Sequence, residues 1–296
     1  MRPNSLDIVV LNYNNWEETK QFVESVIFFN CIHRIIIVDN CSTDNSFEIL
    51  KKMDSWKVHT IKTDKNGGYG YGNNYGVSFL AENDKPKYVA ICNPDIIVDE
   101  KTLIACESFL KDHSDYSVVS PWMRDINDHD VNCGWFINSW KKILFGQTVL
   151  LGKTSKPMFV SKNNKEFVRC DAVAGSLLIV NVNDFLLAGG YDENIFLYSE
   201  ESVLGFRMKK IGKNSALLSN YHFIHKGSTS ISKQYKSSFA RQRMILKSQK
   251  YMFKEYYHIG FFGRVFMHFM CFIILFETSI YDLYKKVKFN KKHCFF

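Results

Sequence analysis

The residues of this chain best suited to chemistry sit in short polar segments that follow apolar runs. Asn12, Tyr13 and Asn14 come directly after residues 6–11, and Asp39 and Asn40 after residues 34–38. A carboxylate and amides at neighbouring strand ends can hydrogen-bond the edges of a nucleobase and a ribose. The run Asp39-Asn40-Cys41-Ser42-Thr43-Asp44 suits a turn into a helix cap equally well. Residues 66–76, from Asn66 through Gly68 and Asn74 to Gly76, hold enough glycine for backbone N–H groups to approach a diphosphate ahead of a helix. No Gly-Lys-Ser/Thr follows, and Tyr75 stands where G-x-G-x-x-G would place its third glycine, so neither nucleotide fingerprint is present. Asn93-Pro94-Asp95 ends another apolar run. A carboxylate there is costly unless paired or metal-bound, and hard oxygen donors suit Mg²⁺ or Mn²⁺. Glu200 and Glu201 are adjacent acids that can also open a helix, where its dipole favours them. His222 and His225 lie three apart on an expected strand and so point to opposite faces, which speaks against a two-histidine zinc site.

To hold these groups at one edge, the chain must alternate strands with helices. The apolar runs 6–11, 34–38 and 88–92 are short and rich in β-branched residues, as strands covered on both faces are. Residues 16–29 carry Phe22, Val26 and Phe29 at helical spacing, and the alternation continues with a helix at 44–53, a strand at 57–61 and a helix at 73–81. The pattern predicts an α/β fold with a doubly wound, mostly parallel sheet that binds ligands beyond its strand ends. Further on, the sequence predicts a helix at 101–112, a strand at 118–120, and loops and hairpins over 124–164. A kinked strand at 172–180, a short helix at 183–188 and a helix at 201–211 stopped by Gly212 follow. From residue 237 the pattern is helical. Residues 261–276 are dense in Phe, Met and Ile, but Arg264 and His268 interrupt them and leave an apolar stretch short of the ~20 residues a spanning helix needs.

Charge is concentrated in that tail. Eleven lysines and arginines lie from Arg241 onward against three acids, an excess equal to the whole net charge of +8. Basic residues interleaved with an apolar, aromatic face fit an anionic membrane surface better than nucleic acid, for which no recognisable motif is present. A hairpin packed on the rest of the protein is the alternative. The eight cysteines show no C-x-x-C spacing, and no basic segment with a long apolar core opens the chain. Both features predict an intracellular protein with free thiols.

The segments VVLNYNN (9–15), VDNCSTDNS (38–46), NGGYGYGNNYG (66–76), NPD (93–95), AGSLLIV (174–180), YDENIFLYSEE (191–201) and HKGSTS (225–230) together resemble glycosyltransferase family 2, and more narrowly its rhamnosyltransferase-like members of bacterial polysaccharide synthesis. Their order and spacing match over about the first 230 residues. The resemblance implies a GT-A fold over 1–236, with a nucleotide-sugar half (1–100) and an acceptor half (101–236), followed by a helical extension (237–296). It implies that Asp39, with Asn12 and Tyr13, binds the nucleoside, and that Asn66, Gly68 and Asn74 shape the sugar-nucleotide pocket. Asp95 becomes the last acid of a D-x-D-like metal motif whose first position is Asn93, and His225 reaches back to the metal or diphosphate. Gly175 and Ser176 wall the acceptor pocket, and Glu201, or else Glu200, is the catalytic base.

The implied reaction is inverting transfer from dTDP-L-rhamnose or a UDP-sugar, with Mg²⁺ or Mn²⁺, to a saccharide or polyprenyl-diphosphate-linked acceptor. The protein would then be cytoplasmic and peripheral on the inner face of the cell membrane. Two departures bear on this: the second acid of the pair, commonly Asp, is Glu201, and Val203 replaces an Asp that contacts acceptor. Both keep open a catalytically silent carbohydrate-binding or assembly module of the same fold.

Overall fold

The apolar runs become strands because each is apolar on alternate as well as successive positions and is sheathed on two sides. In chain order the elements are β1 (Leu6–Asn12), α1 (Trp16–Val26), β2 (Ile32–Asp39), α2 (Ser46–Lys51), β3 (Val58–Lys62), α3 (Tyr69–Asn83), β4 (Tyr88–Cys92), β5 (Ile96–Ile97), α4 (Glu100–Asp112) and β6 (Tyr116–Arg124). They continue with β7 (Gly134–Trp135), α5 (Trp140–Phe145), β8 (Phe167–Cys170), β9 (Ala172–Val173), β10 (Leu177–Asn181), α6 (Val182–Leu187), α7 (Glu200–Lys210), β11 (Asn214–His225), α8 (Ser238–Glu255) and α9 (Phe261–His293). This computed structural model describes residues 6–148, 159–162, 164–227 and 237–293, with side chains as far as 285. Ser228–Ser230 of the HKGSTS segment lie outside the described residues.

The chain divides into two compact units, one of Met1–Ile137, Phe159–Phe196 and Glu200–Ser228, the other of Asn138–Met158, Leu197–Ser199 and Thr229–Phe296. The first holds a sheet in the order β3-β2-β1-β4-β10-β6-β11-β5, with β8 also paired to β11. Strands β3, β2, β1 and β4 are mutually parallel. β10 then runs antiparallel to both β4 and β6, while β11 is parallel to β6. The sheet is therefore mixed, and the seam between β4 and β10 is where its parallel half ends.

Side-chain alternation sorts the core into two layers. Ile8, Val10, Ile35, Ile37, Ala90, Cys92 and Ile179 face a layer with Phe22 and Val26 of α1 and Leu103 and Phe109 of α4. Val9, Ile36, Val38, Val89, Ile91, Leu178 and Val180 face Val77 and Leu80 of α3, Phe185 of α6 and Leu204 of α7. Each of these Ile, Leu and Val side chains contributes roughly 1.5–3 kcal/mol by leaving water, so the strand ends that carry polar residues are anchored in the buried core.

The glycine-rich segment differs from its sequence reading. Helix α3 starts at Tyr69 rather than near Asn73, so Gly70, Gly72 and Gly76 lie within it. A Cβ on Gly72 would come 2.2 Å from Leu11 Cδ1, and one on Gly76 2.6 Å from Val9 Cγ1. Those glycines let α3 lie close on the sheet. Gly68, the N-cap, has φ 93°, a conformation open to glycine at no steric cost.

In the second unit α5, α8 and α9 pack through aromatic contacts of Trp140 with Phe253 and Phe266. Arg264 and His268, read from the sequence as interruptions, do not break α9. Its segment Phe261–Lys285 is long and apolar enough to cross a membrane by length and composition, with mean hydropathy 1.5.

Candidate active site

The strand ends gather the polar residues into two clusters and one relay. At the ends of β1 and β2, Asn12 Nδ2 donates to Asp39 Oδ1 (2.9 Å) and to Ser42 Oγ (3.2 Å), while Ser42 N donates to Asp39 Oδ2 (3.0 Å). Thr19 Oγ1 donates to Asn12 Oδ1 at 2.9 Å. Asn12 and Asp39 are wholly enclosed. Burial of such groups is tolerated because every heteroatom of both side chains has a partner. Tyr13 is half-buried at the same strand end. Next to it Asn40 Nδ2 donates to Asn66 Oδ1 (3.1 Å) and Gly68 O (3.0 Å), and Gly68 N donates to Asn66 Oδ1 (3.2 Å). Asn66 thus shapes the turn before α3. Asn74 is committed elsewhere: its amide bonds Tyr191 O (2.9 Å) and Glu193 Oε1 (3.0 Å) and accepts from Tyr191 N (2.9 Å), clamping the segment ahead of α7.

The relay runs across the β4–β10 seam. Gly175 N donates to Glu201 Oε1 at 3.3 Å, and Asn93 N donates to Ser176 O at 2.8 Å. Both bonds spring from the turn that links β9 to β10, so the acidic pair and the Asn93-Pro94-Asp95 segment are tied to adjacent residues. Only a glycine fits at the first position with ease, because a Cβ on Gly175 would lie 3.0 Å from Tyr69 Oη and 3.2 Å from Glu201 Oε1. Tyr69, missed by the sequence reading, donates its hydroxyl to Gly175 O. No local pattern marks it, since its partner is 106 residues away.

Burial pushes the carboxyls of both glutamates above the usual range. Glu200 is enclosed, the neighbouring Glu201 charge adds to the penalty, and its Oε2 has no hydrogen-bond partner. For Glu201, which is half-buried, hydrogen bonds from its own backbone N–H and from Gly175 N–H offset part of the rise. Burial thus disfavours the charged form of both adjacent acids. Just ahead of them Tyr198 and Ser199 take φ of 70° and 74°, a left-handed pair that is uncommon for residues with side chains.

At the far end of the relay Asp95 is buried, and its Oδ2 lies 3.1 Å from His225 Nε2. The pair is close without being aligned as a hydrogen bond, for His225 Nε2 has no hydrogen-bond partner. An oxygen and a nitrogen donor this close together fit a divalent cation whose remaining ligands come from elsewhere. Among the described residues no three His, Cys, Asp or Glu side chains converge to hold a metal unaided. A diphosphate's oxygens would complete such a shell.

The family model for glycosyl transferase family 2 matches residues 7–173, more than half of the chain. The chain belongs to that family. It is 24% identical over 233 residues to the rhamnosyltransferase WbbL of Escherichia coli K12, covering 74% of this chain and 82% of that protein. It is 23% identical over 207 residues to the low-salt glycan biosynthesis hexosyltransferase Agl10 of Haloferax volcanii, covering 70% of this chain and 62% of that one.

Among solved structures, GalNAc-T7 with UDP, GalNAc and Mn²⁺ superposes with a TM-score of 0.58 at 13% identity, over 77% of this chain and 44% of that chain. The mannosyltransferase PcManGT of Pyrobaculum calidifontis with GDP-Man and Mn²⁺ gives 0.56 at 12% identity, over 93% of this chain and 70% of that one. These likenesses establish the GT-A fold, and the family match reaches from β1 to β9, across both polar clusters and Asp95.

Proposed function

We propose that this family 2 glycosyltransferase moves L-rhamnose from dTDP-L-rhamnose to a saccharide carried on a polyprenyl diphosphate, in bacterial surface polysaccharide synthesis. A UDP-sugar is the alternative donor. In this reading residues 1–236 are the catalytic domain and 237–296 its membrane-surface extension. The observation that carries the reading is the relay from Glu201 through Gly175 and Ser176 to Asn93, two residues from Asp95, because transfer needs a base and a leaving-group site held in register. The name of the E. coli relative supports rhamnose as the sugar.

Glu201 accepts the proton of the acceptor hydroxyl as that oxygen bonds the anomeric carbon, and the bond from carbon to diphosphate breaks on the opposite face. Asp95 and His225 would hold a divalent cation, Mg²⁺ or Mn²⁺, which supplies neutralisation of the departing diphosphate. The Asn12–Asp39–Ser42 cluster, with Tyr13, sets the wall against which the nucleoside rests. Asn66 and Gly68 shape the turn under the diphosphate, and Asn74 fixes the segment that leads to the acids.

A thermal-shift panel of dTDP-rhamnose and UDP-sugars, with and without Mn²⁺, tests the proposal, because a ligand bound by the native state raises its apparent stability. The expected result is a metal-dependent rise with dTDP-rhamnose that is lost in Asp95→Ala. Metal-independent binding, or a rise retained in Asp95→Ala, overturns the cation assignment; no rise with any nucleotide sugar overturns the donor.

A further inference from the structure

We infer that α8 and α9 form a hairpin that lies in the plane of an anionic bilayer, with one face of α9 sunk to the acyl boundary. The inference rests on the membrane-surface reading above and gives it a mode. Val265, Phe269, Phe272, Phe276, Ile280 and Leu283 are each between 52% and 68% exposed. Their steps of three and four residues keep them within an arc of about 100° over about 27 Å of helix. Arg264, His268 and Glu277 fall outside that arc, so the stripe carries no charge. The opposite side of the same helix buries Met267, Met270, Cys271 and Ile274. A helix apolar on both sides, with one side covered and the other bare, has a second apolar surround to meet.

The course of α8 decides between lying in a bilayer and crossing it. Phe239 N at the start of α8 donates to Asp282 Oδ2 of α9 at 3.0 Å, so the helices run antiparallel side by side. Arg243, Lys247, Lys250 and Lys254 recur on one face of α8 at steps of four, three and four, and Arg243, Lys247 and Lys254 are exposed. Lys254 also pairs with Glu255 at 2.9 Å. If α9 crossed the hydrocarbon, α8 would carry these charges in with it, which is costly. If the hairpin lies flat, they remain among headgroups while the stripe is buried, the division that interfacial helices adopt.

The lysines Lys285, Lys286, Lys288, Lys291 and Lys292 follow the stripe in sequence. A second copy of this chain would bring more positive charge to the same ground, whereas anionic lipid brings the opposite sign.

Flotation of the full-length chain with phosphatidylcholine vesicles, with or without phosphatidylglycerol, tests this. The expected result is binding to the anionic vesicles alone, weakened by salt and released by alkaline carbonate. Phe269→Glu/Phe272→Glu and Lys247→Glu/Lys250→Glu should each lose it by tenfold or more, with thermal melting unchanged. A Phe272→Trp variant should be quenched by lipids brominated high on the acyl chain.

Retention in carbonate means that α9 spans, and overturns the inference. So does a salt-stable dimer in solution that ignores vesicles and dissociates in the phenylalanine variant, or binding unaffected by both double substitutions. Transfer to a water-soluble saccharide should persist in Phe269→Glu/Phe272→Glu. If no preparation transfers sugar yet vesicle binding follows the pattern, the catalytic reading fails and this one stands.

Discussion

The Asn12–Asp39–Ser42 cluster and Glu200 are both buried and polar, but they are satisfied in opposite ways. In the first, each amide and carboxylate atom meets a protein partner. In the second, Glu200 Oε2 meets none, and the same is true of His225 Nε2 at the other end of the relay. Under the proposed function the difference separates a scaffold from a working surface. A saturated network specifies the shape of the strand ends and holds it, whereas unsatisfied buried groups cost stability and persist where chemistry uses them.

The comparison breaks most visibly at Glu201. A base contributes roughly 10² to 10⁴ in rate, so Glu201→Gln should lower kcat by that order and leave donor affinity intact, as separate equilibrium binding will check. In the unaltered enzyme the acid limb of the pH–rate profile should lie above the ordinary carboxylate range, since burial raises this carboxyl and only its ionised form accepts a proton. Normal turnover in the glutamine variant would remove Glu201 from the mechanism.

At the scaffold the loss should appear in stability instead. Asn12→Ala strands Asp39 Oδ1, while Thr19 Oγ1 keeps its bond to Asn15 O, and an abandoned buried partner costs about 1–3 kcal/mol. Denaturant unfolding should register that loss, together with weaker donor binding, while the chemical step for bound substrate changes little. A variant as stable as the parent would mean that the cluster is no scaffold.

The smallest effect sharpens the contrast through its sign. A carboxyl whose folded pKa is raised favours the folded state below its unfolded pKa, and that contribution is lost as pH rises through the folded value. Glu200→Gln removes the ionisation. The variant should therefore match the parent in thermal melting near roughly pH 4, where the acid is protonated in both states, and exceed it increasingly at higher pH. A variant that melts lower at every pH would assign Glu200 a structural partner instead.

Much of this arrangement was legible before the structure. Strand β4 falls on the residues the apolar run 88–92 marked, because a short continuous apolar run suits a strand buried on both faces and is too short for a buried helix. The burial of Asp95 was legible from its place just past such a strand's end. The start of α3 was not, because glycines that signal a loop by their freedom also permit close packing, and only Leu11 and Val9 reveal which applies. Strand β6 reaches four residues beyond its predicted end, since its partner β11 is remote in sequence. Tyr69 and the double commitment of Asn74 to the Tyr191 segment stayed hidden for the same reason: contacts over a hundred residues apart leave no spacing to read.

The turn at Gly175 has a kinetic consequence. Its N–H positions Glu201, its carbonyl is held by Tyr69, and the next residue's carbonyl is fixed to β4. In the proposed mechanism the base inherits its place from the sheet ladder, and the rotational freedom of that carboxylate is surrendered when the chain folds. An arriving acceptor meets a base that has no search left to make, so the activation entropy of the proton transfer should be small in magnitude.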